Sequence, residues 1–397
     1  MYPVTTARIA VLGDAFVDVV AANVTNLPTW AQSELCESMS MHTGGSSGNT
    51  VSHIAQFVQS LKSAQPGLRQ PFYITNVGED EFGKFFKAKL AARGVDIEGV
   101  ISHSDVSTGA CVVLSKGNGR TFMSSLGANQ VADPTTRFYR SEKIWKTLTE
   151  ECKLLHIANY LGLPNLQTES FSKFVQDLRA KGLVISLDPQ SSNTDEWWGK
   201  NDMLRTLLPH IDILMLNEDE AYNIATTGSS SVHDPRHTQH EHHKDFENYY
   251  AAQVLCSYLP KDALVVITKA SHGADAYRNS QLVARCGTLP VQKVVDATGG
   301  GDAFKAAFLM HHLYAREKCR TMQDVDETLH DSLALGCSCG AYRVTVLSGS
   351  ENCPSWSLIC EGATTIRALD AQRQANQQAL KTTPLTFNLQ QVGKSFL

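Results

Sequence analysis

Apolar and polar positions along the chain follow two alternating patterns. Short apolar runs rich in Val, Ile and Leu predict buried strands, and these runs are RIAVLGDAFVDVV, PFYITNVG, KLLHIANYLGLP, GLVISLDPQ, DILMLNEDE and ALVVITKA. Between them, apolar residues at helical spacing predict helices, namely SSGNTVSHIAQFVQSLK, DEFGKFFKAKLAARG, TESFSKFVQDLRAKG and DAFKAAFLMHHLYAR. Strands separated by helices predict an α/β fold with helices on both faces of a mostly parallel sheet. Ligands of such sheets bind beyond the carboxyl ends of the strands, so the polar residues that follow each strand are the first candidates for a site.

The composition fits a large globular protein. The chain has 397 residues, of which 42% are hydrophobic, and its net charge is −5 at pH 7. A disordered chain would have fewer apolar residues and more net charge, and a strongly basic nucleic-acid binder would have a surplus of Lys and Arg. We therefore expect a folded, enzyme-sized protein that has no nucleic-acid partner.

The sequence also bears on the cellular compartment. Asp14 and Asp18 interrupt the first apolar run, so this run is not the apolar core of a secretory signal. No stretch of about 18 apolar residues predicts a membrane span. The ten cysteines form no CxxC pair, and the two closest, Cys337 and Cys339, are expected to be buried thiols rather than metal ligands. These features predict a protein of the reducing cytoplasm that has no membrane partner.

Two segments depart from the alternation of strands and helices. The polar segment at residues 226–248 carries five of the fourteen histidines. We expect it to be a solvated insertion, with metal binding by its His-rich tract as the alternative. The Gln-rich segment at residues 361–397 has few large apolar residues and is expected to form a surface helix and a loose tail.

The segment VVDATGGGDAFKAAF is the strongest candidate for catalysis. Gly299, Gly300 and Gly301 lie between a strand end and a helical pattern, where they let the backbone turn tightly and present its N–H groups. Because the N-terminus of a helix favours an anion, this loop is suited to a phosphate group. Asp302 follows the glycines, and a carboxylate at this place can take the proton of an attacking hydroxyl. The alternative is a flexible glycine turn in which Asp302 only caps the helix.

Several motifs resemble those of the ribokinase-like, PfkB-type carbohydrate kinases. DATGGGD is similar to the family signature D-T-x-G-A-G-D, and HTGGSSGNTVSHIA resembles a second signature, in which Asn follows a Gly-Gly pair by four residues. Further similarities appear in family order over roughly residues 8–350, and they are Gly13 with Asp18, Gly78 with Asp80 and Gly83, STGACVVL, SLGAN, LNEDEA and VITKASHGA. The resemblance implies one kinase domain at residues 1–360, folded as a three-layer α/β/α sandwich, and a C-terminal extension at 361–397. It also implies a small β-strand lid built from about residues 15–45 and 106–125.

The resemblance assigns roles to individual residues as well. Asp302 would be the catalytic base, and the amides of Gly299, Gly300 and Gly301 would hold the γ-phosphate. The hydroxyls of the acceptor would be held by Asp18, Gly44, Gly45, Asn49 and Asn159. ATP would be bound by Asn217, Glu220, Thr268, Gly273, Asp296 and Thr298. Glu220 would also contact Mg²⁺ through water, and Asp296 would border a site for K⁺ as a monovalent activator.

Four positions depart from the family pattern. Ala297 replaces the usual Thr of the signature, and Gly300 replaces an Ala. Ala270 replaces the middle Gly of the nucleotide loop, where a positive φ would crowd its side chain. Lys305 replaces an Asn or Thr about one helical turn after Asp302. This lysine is expected either to touch a phosphate or lower the pKa of Asp302, or else to extend into solvent.

The expected activity is transfer of the γ-phosphate of ATP to a hydroxyl of a small carbohydrate similar to ribose, fructose or ketodeoxygluconate, with Mg²⁺ as cofactor. One alternative is a nucleoside kinase of the adenosine or inosine type, for which Phe16 and Phe122 are candidates to stack on the base. Another is a relative that binds nucleotide or sugar without catalysis. A homodimer through the lid is a further expectation, because exposed edge strands invite pairing.

Overall fold

The strands of the protein form two β-sheets. The structure is a computed structural model, and it describes residues 2–116, 119–131, 141–192, 194–227, 241–346 and 348–382. The strands are β1 (Arg8–Leu12), β2 (Phe16–Ala22), β3 (Ser38–Gly44), β4 (Phe72–Gly78), β5 (Asp96–His103), β6 (Ala110–Lys116), β7 (Gly119–Ser125), β8 (Cys152–Ala158), β9 (Val184–Asp188), β10 (Ile213–Asn217), β11 (Leu264–Thr268), β12 (Ala274–Arg278) and β13 (Gln281–Cys286). The α-helices are α1 (Ser46–Leu61), α2 (Glu81–Ala92), α3 (Glu142–Lys146), α4 (Glu169–Ala180), α5 (Met203–Leu207), α6 (Glu218–Thr226), α7 (Glu241–Cys256), α8 (Gly300–Lys318), α9 (Met322–Glu327), α10 (Leu329–Arg343) and α11 (Trp356–Thr382).

The larger sheet has the spatial order β13-β12-β11-β10-β9-β8-β1-β4-β5. Its strands from β11 to β5 in this order pair in parallel, whereas β12 and β13 form an antiparallel hairpin at one edge. Asn279 and Ser280 connect this hairpin, and both have a positive φ. A positive φ at both central residues is characteristic of the type I′ hairpin turn, whose twist matches that of the strands.

Helices cover both faces of the larger sheet and form a hydrophobic core on each side. On one face α1 and α8 contribute Phe57 and Phe308, together with residues of α2, α10 and α11. On the other face α4 and α6 contribute Phe174 and Ile224, together with residues of α5 and α7. The predicted three-layer α/β/α sandwich with a mostly parallel sheet is therefore confirmed.

The smaller sheet, of order β3-β2-β6-β7, forms the lid. Its four strands lie within the segments predicted for the lid. Cross-strand pairing places Asp18, Cys111 and Ser124 in one row, on the face that lines a cavity. The next row lies on the opposite face, which we call the outer lid face, and consists of Met41, Val19, Val112 and Met123.

The prediction of one strand over RIAVLGDAFVDVV is wrong. The chain forms β1 in the larger sheet, leaves it at Gly13, Asp14 and Ala15, and continues as β2 in the lid. A Cβ atom at Gly13 would lie 2.6 Å from the carbonyl oxygen of Ala158, so only glycine fits this close approach to β8. The break places Asp14 at the carboxyl end of β1, beside the start of α1.

The last helix packs on the domain. Ala363 and Ile366 of α11 are buried in the same core as α1 and α8, so the described part of the extension is a helix with one apolar face inside the protein. The predicted boundary at residue 360 falls within this helix. Most of the His-rich segment lies outside the described residues, as do positions 383–397. Among the described helices, none combines the length and apolar character needed to cross a membrane.

Candidate active site

A cavity of about 510 Å³ lies between the carboxyl ends of the parallel strands and the lid. Of the fifteen residues that were predicted from the sequence to have a catalytic, acceptor-binding or ATP-binding role, ten line it, namely Asp18, Gly45, Asn49, Asn217, Glu220, Thr268, Thr298, Gly299, Gly301 and Asp302. Five others do not line it, and these are Gly44, Asn159, Gly273, Asp296 and Gly300. The fold thus brings together residues from both halves of the chain, at the edge where α/β sheets bind their ligands.

Asp302 lies in the first turn of α8 and is 6% exposed. Both of its carboxylate oxygens accept hydrogen bonds from the start of α1: Oδ1 from the hydroxyl of Ser46 at 2.7 Å and Oδ2 from the amide of Asn49 at 2.9 Å. Burial raises the pKa of Asp302, while the charge of Lys305 and the bond from Asn49 act in the opposite direction. The carboxylate is therefore held firmly in one orientation. Its neighbours favour its ionised form, which burial disfavours.

Lys305 points inward rather than to solvent. Its ammonium group is 3.6 Å from Asp302 Oδ1 and forms a closer ion pair with Asp188, the last residue of β9. Burial on its own would lower the pKa of Lys305, but the carboxylates of Asp188, Asp302 and Glu220 more than compensate and raise it. Lys305 consequently stays charged between acidic groups, and of the two alternatives for this residue, the one in which its side chain extends into solvent is wrong.

Asn217 and Glu220 form the N-terminal cap of α6. The Asn217 side chain accepts from the Glu220 N–H at 2.8 Å, and the Glu220 carboxylate accepts from the Asn217 N–H at 2.9 Å. Burial, and next the charge of Asp188, raise the pKa of Glu220 to about 7. A carboxylate with this pKa can change its charge near neutral pH when a cation or phosphate arrives.

The glycine pair before α1 lets two carboxylates approach the backbone closely. A Cβ atom at Gly44 would lie 2.3 Å from Asp18 Oδ2, and Gly45 has a φ of 84° beside Asp14. Burial raises the pKa of Asp18 to about 6, with the charge of Asp14 adding to the effect. Asp14 accepts from the N–H groups of the first turn of α1 and from the side chain of Asn159 at 2.9 Å. Asn159 thus lies behind Asp14 and supports it.

The glycine triplet begins α8 from a left-handed residue, Gly299, whose φ is 76°. A Cβ atom there would lie 2.7 Å from the backbone of Gly349, so this position requires glycine. Gly300 donates its N–H to the carbonyl oxygen of Ala297 at 3.2 Å. The N–H groups of Gly301 and Asp302 then belong to the first turn, where a helix has no internal acceptors for its amides.

Asp296 holds the glycine loop in place through hydrogen bonds. It is 2% exposed and accepts from the N–H of Thr298 at 2.8 Å and from that of Ser348 at 2.9 Å. Two guanidinium groups also approach it: Arg120 of the lid strand β7 at 2.8 Å and Arg343 of α10 at 3.8 Å. Arg120 also donates to the hydroxyl of Thr298 at 3.1 Å, so the lid and the glycine loop are directly connected.

The predicted nucleotide loop follows β11. Thr268 lines the cavity, whereas Gly273 does not. Gly273 has a φ of 91°, and a Cβ atom there would lie 1.9 Å from the carbonyl oxygen of Cys286. Ala270 has a φ of 45°, so the replacement of glycine there does place a side chain in the left-handed region.

Five candidate functional residues were not predicted from the sequence, namely Asp14, Ser46, Arg120, Asp188 and Gln190. Ser46 and Gln190 both bond to Asp188, and Ser46 joins it to Asp302. Asp188 could have been found, since it ends the predicted strand of GLVISLDPQ, where ligand-binding residues are expected. Arg120 gave no signal, because its partner lies 178 positions further along the chain.

Comparisons with known proteins identify the family of this chain. A family model described as pfkB family carbohydrate kinase matches residues 6–356. The ATP-dependent 6-phosphofructokinase of Thermoanaerobacterium thermosaccharolyticum is 22% identical over 353 residues, covering 86% of this chain and 89% of that protein. Adenosine kinase 2 of Arabidopsis thaliana is 23% identical over 306 residues, covering 74% of this chain and 78% of that protein.

Solved structures share the fold. Ribokinase from Giardia lamblia superposes with a TM-score of 0.70 at 19% identity, covering 89% of this chain and 99% of that one. Arabidopsis thaliana ribokinase, solved with ribose and ATP, gives a TM-score of 0.68 at 18% identity, covering 90% and 99% respectively. Because the family model spans most of the chain and the fold agrees, this protein belongs to the pfkB family of carbohydrate kinases.

Proposed function

We propose that this protein transfers the γ-phosphate of ATP to a hydroxyl of a small carbohydrate similar to ribose, fructose or ketodeoxygluconate. One observation carries the proposal: the buried carboxylate of Asp302 lies at the N-terminus of α8, in the cavity that Asp18 and Asn49 also line. A base for the acceptor hydroxyl and a helix end suited to phosphate therefore occupy one place. The names of relatives, which range from a 6-phosphofructokinase to adenosine kinases, support transfer to a hydroxyl and leave the acceptor open.

In the proposed reaction the acceptor oxygen attacks the γ-phosphorus, and its proton passes to Asp302. The bond from the γ-phosphorus to the oxygen that bridges the β- and γ-phosphates breaks, and ADP leaves with that electron pair. The N–H groups of Gly301 and Asp302 and the ammonium of Lys305 stabilise the charge on the transferred group. Asp18 and Asn49 hold other hydroxyls of the acceptor, and Asn49 Oδ1 has no hydrogen-bond partner among the described residues.

The residues near Lys305 fit the Mg²⁺ that accompanies ATP. Asp188 Oδ1 is buried without a hydrogen-bond partner in the described part of the chain, and Glu220 lines the cavity. Carboxylate oxygens suit Mg²⁺, which keeps much of its water, so these two residues would hold the ion through its water ligands. When bound, the ion neutralises charge on the phosphates.

Asp296 fits a monovalent cation less well. Both of its oxygens already accept N–H bonds, and Arg120 and Arg343 bring two positive charges to it. We therefore expect turnover to change little when Na⁺ replaces K⁺.

A nucleoside acceptor is the second candidate, and one observation favours it. Phe16 and Phe122, both on the lid, line the cavity together with Asp18. Aromatic side chains there can stack on a base while the carboxylate accepts from ribose hydroxyls.

The cysteines bear on the cellular compartment. The free thiols of the described cysteines agree with a reducing, cytoplasmic setting, which we also propose.

The experiment that tests the function is a screen for ADP release with ribose, fructose, 2-keto-3-deoxygluconate, adenosine and inosine, in K⁺ and in Na⁺. The full chain should release ADP with one class of acceptor. Asp302→Asn should lower turnover by a factor of ~100 or more while ATP still binds, since it removes a general base. Asp219→Asn, an exposed acid on α6, is the matched control and should leave turnover unchanged.

Two outcomes would contradict the proposal. Unchanged turnover in Asp302→Asn would exclude it as the base. ATP binding without ADP release across the whole panel would favour the alternative of a relative that binds its ligands without catalysis.

A further inference from the structure

A second group of chemically active side chains lies outside the cavity, where the edge strand β13 meets α10 and α11. Cys286 ends β13, His330 is in the first turn of α10, and Asp370 is in the middle of α11. One ligand atom from each, a thiol sulfur, an imidazole nitrogen and a carboxylate oxygen, lies within 4.8 Å of the other two. None of the three lines the cavity, so the proposed kinase reaction does not use them.

The local geometry holds these groups toward one another. His330 Nε2 is 3.2 Å from Asp370 Oδ2, and the same oxygen accepts the N–H of Gly287 at 2.9 Å. A Cβ atom at Gly287 would lie 2.8 Å from Asp370 Oδ1, so glycine is what lets the carboxylate come this close to the end of β13. The backbone bond from Gly287 fixes the carboxylate as outer hydrogen bonds fix metal-binding carboxylates.

The donor set suits a particular metal. Thiolate, imidazole and carboxylate are the ligands of Zn²⁺, whereas Mg²⁺ and Ca²⁺ take oxygen alone. Ionised Cys286 and Asp370 carry two negative charges, which balance a divalent cation. The side chains of His330 and Asp370 are 30% and 13% exposed, so an ion can enter from solvent, while Cys286 is 1% exposed and shields the inner side.

We propose that Cys286, His330 and Asp370 form a zinc site with three protein ligands, whose fourth position is open to water. The site joins three elements that are far apart in sequence and ties α11 to the sheet edge. Cys337 of α10 also contacts the Cys286 thiol.

The test titrates Co²⁺, a spectroscopic substitute for Zn²⁺, into the reduced, chelator-treated full chain. The expected result is one equivalent bound, with the intense visible bands of a tetrahedral ion and a thiolate-to-cobalt charge-transfer band that Zn²⁺ abolishes. Cys286→Ser should remove the charge-transfer band. His330→Gln and Asp370→Asn should weaken binding by roughly 10–100-fold or more, at least the effect of losing an outer partner of a metal ligand.

Two controls separate this site from other metal-binding groups. Cys319→Ser changes a half-buried thiol at the end of α8 and should bind Co²⁺ as the wild type does. Replacing the five histidines of the His-rich tract by Gln should also leave the charge-transfer band, because that tract contains no thiol.

Thermal unfolding supplies a second measurement. Zn²⁺ should raise the Tm of the wild type and of Cys319→Ser, and it should leave that of folded Asp370→Asn nearly unchanged, since only a folded state that binds is stabilised. The proposal is overturned if Co²⁺ gives no charge-transfer band, or if the band persists in Cys286→Ser. Either result is independent of whether the protein proves to be a kinase.

Discussion

Lys305 introduces a buried positive charge next to the residue that we propose as the catalytic base. Its ammonium pairs with Asp188 and lies 3.6 Å from Asp302, and the carboxylate of Glu220 adds to the negative surroundings. Arg343 contributes a more distant positive charge. Because burial opposes ionisation of Asp302, the lysine is the largest influence that keeps this carboxylate charged.

Lys305→Met should therefore impair catalysis in a pH-dependent manner. We expect turnover near neutral pH to fall roughly 100-fold, the scale of losing one group that stabilises the transferring charge. The acidic limb of kcat/KM should move to higher pH, because without the lysine the pKa of Asp302 rises further. A pH profile of kcat/KM measures this, with Lys305→Arg retaining part of the activity.

The control for that variant addresses the unpaired carboxylate. Removing one partner of a buried ion pair is strongly destabilising, so the double variant Asp188→Asn with Lys305→Met should be more stable than Lys305→Met alone. An acidic limb that stays in place in both variants would show that Lys305 has no influence on the base.

The buried carboxyl of Glu220 should lower the free energy of unfolding at neutral pH. The pKa of this carboxyl is raised from 4.5 to about 7, so between these pH values the folded protein binds a proton that the unfolded chain has released. Stability then falls as the pH rises through this window. Glu220→Gln keeps the cap of α6 and should flatten the decline, while lowering turnover.

Urea unfolding at several pH values, without ATP and Mg²⁺, measures the effect. The difference in the free energy of unfolding between Glu220→Gln and wild type should grow from pH 5 to pH 7. Asp219→Asn, on the same turn but exposed, should follow the wild type. A difference that is constant with pH would contradict the raised pKa.

Single residues were predictable where chemistry and motif coincide in a short segment. Asp302 and the glycines share one such segment, and Asn49 shares another with Gly45. The inward orientation of Lys305 was not predictable, because its partner Asp188 is 117 positions away. Only the fold brings these two charges together.

At the scale of elements, strand β7 connects the lid to the glycine loop at the start of α8. Most of its side chains are exposed, yet Arg120 pairs with Asp296 and donates to the hydroxyl of Thr298. A guanidinium that bonds to the loop at the start of α8 holds the lid against that loop. We infer that this contact helps to exclude water from the reacting groups.

Arg120→Ala should loosen this contact. We expect ADP release without an acceptor to rise severalfold, as water gains access, and the acceptor KM to rise about tenfold, equal to about 1.4 kcal/mol of binding. Coupled assays with and without acceptor measure both. Lys116→Ala, a cationic residue at the exposed end of β6, is the control and should match the wild type. Unchanged acceptor-free ADP release in Arg120→Ala would remove the lid contact from the mechanism.

The elements themselves were predictable to different degrees. Long buried runs such as that of β4 gave clear signals because both faces of the strand are covered. The first apolar run was wrongly predicted as one strand, because its apolar character continues through Gly13 and Ala15, where the backbone passes from the larger sheet to the lid. The hairpin of β12 and β13 was missed because its turn, Asn279 and Ser280, lacks the glycine that usually marks one.

At the scale of the whole molecule, the outer lid face is an unusual surface. It carries Met41, Val19, Val112 and Met123 in one row across the four strands, and Met39, two residues from Met41 on β3, lies on the same face. Met39 and Met123 are 67% and 71% exposed. Clustered apolar side chains on a sheet favour packing against a second sheet, which supports the homodimer through the lid that we propose.

Met123→Glu should disrupt such a dimer, because it places a charge in the apolar interface, on the edge strand β7. Light scattering coupled to size exclusion should show a dimer for the wild type and a monomer for the variant. Leu358→Glu, at a partly exposed apolar position on α11, is the control and should remain a dimer. A monomeric wild type at micromolar concentration would contradict the proposal.

The location of β1 inside the larger sheet has a consequence for the order of folding. Among the described strands β1 comes first along the chain, yet it lies between β4 and β8, and Thr5 donates a hydrogen bond to Glu317 across 312 positions. Phe57 of α1 packs against Trp356 of α11, so the core on that face closes only after α11 has been synthesised. Contacts of such sequence separation slow folding and prolong exposure of apolar strands. A nascent chain that stops before α8 would contain every lid strand and no complete active site.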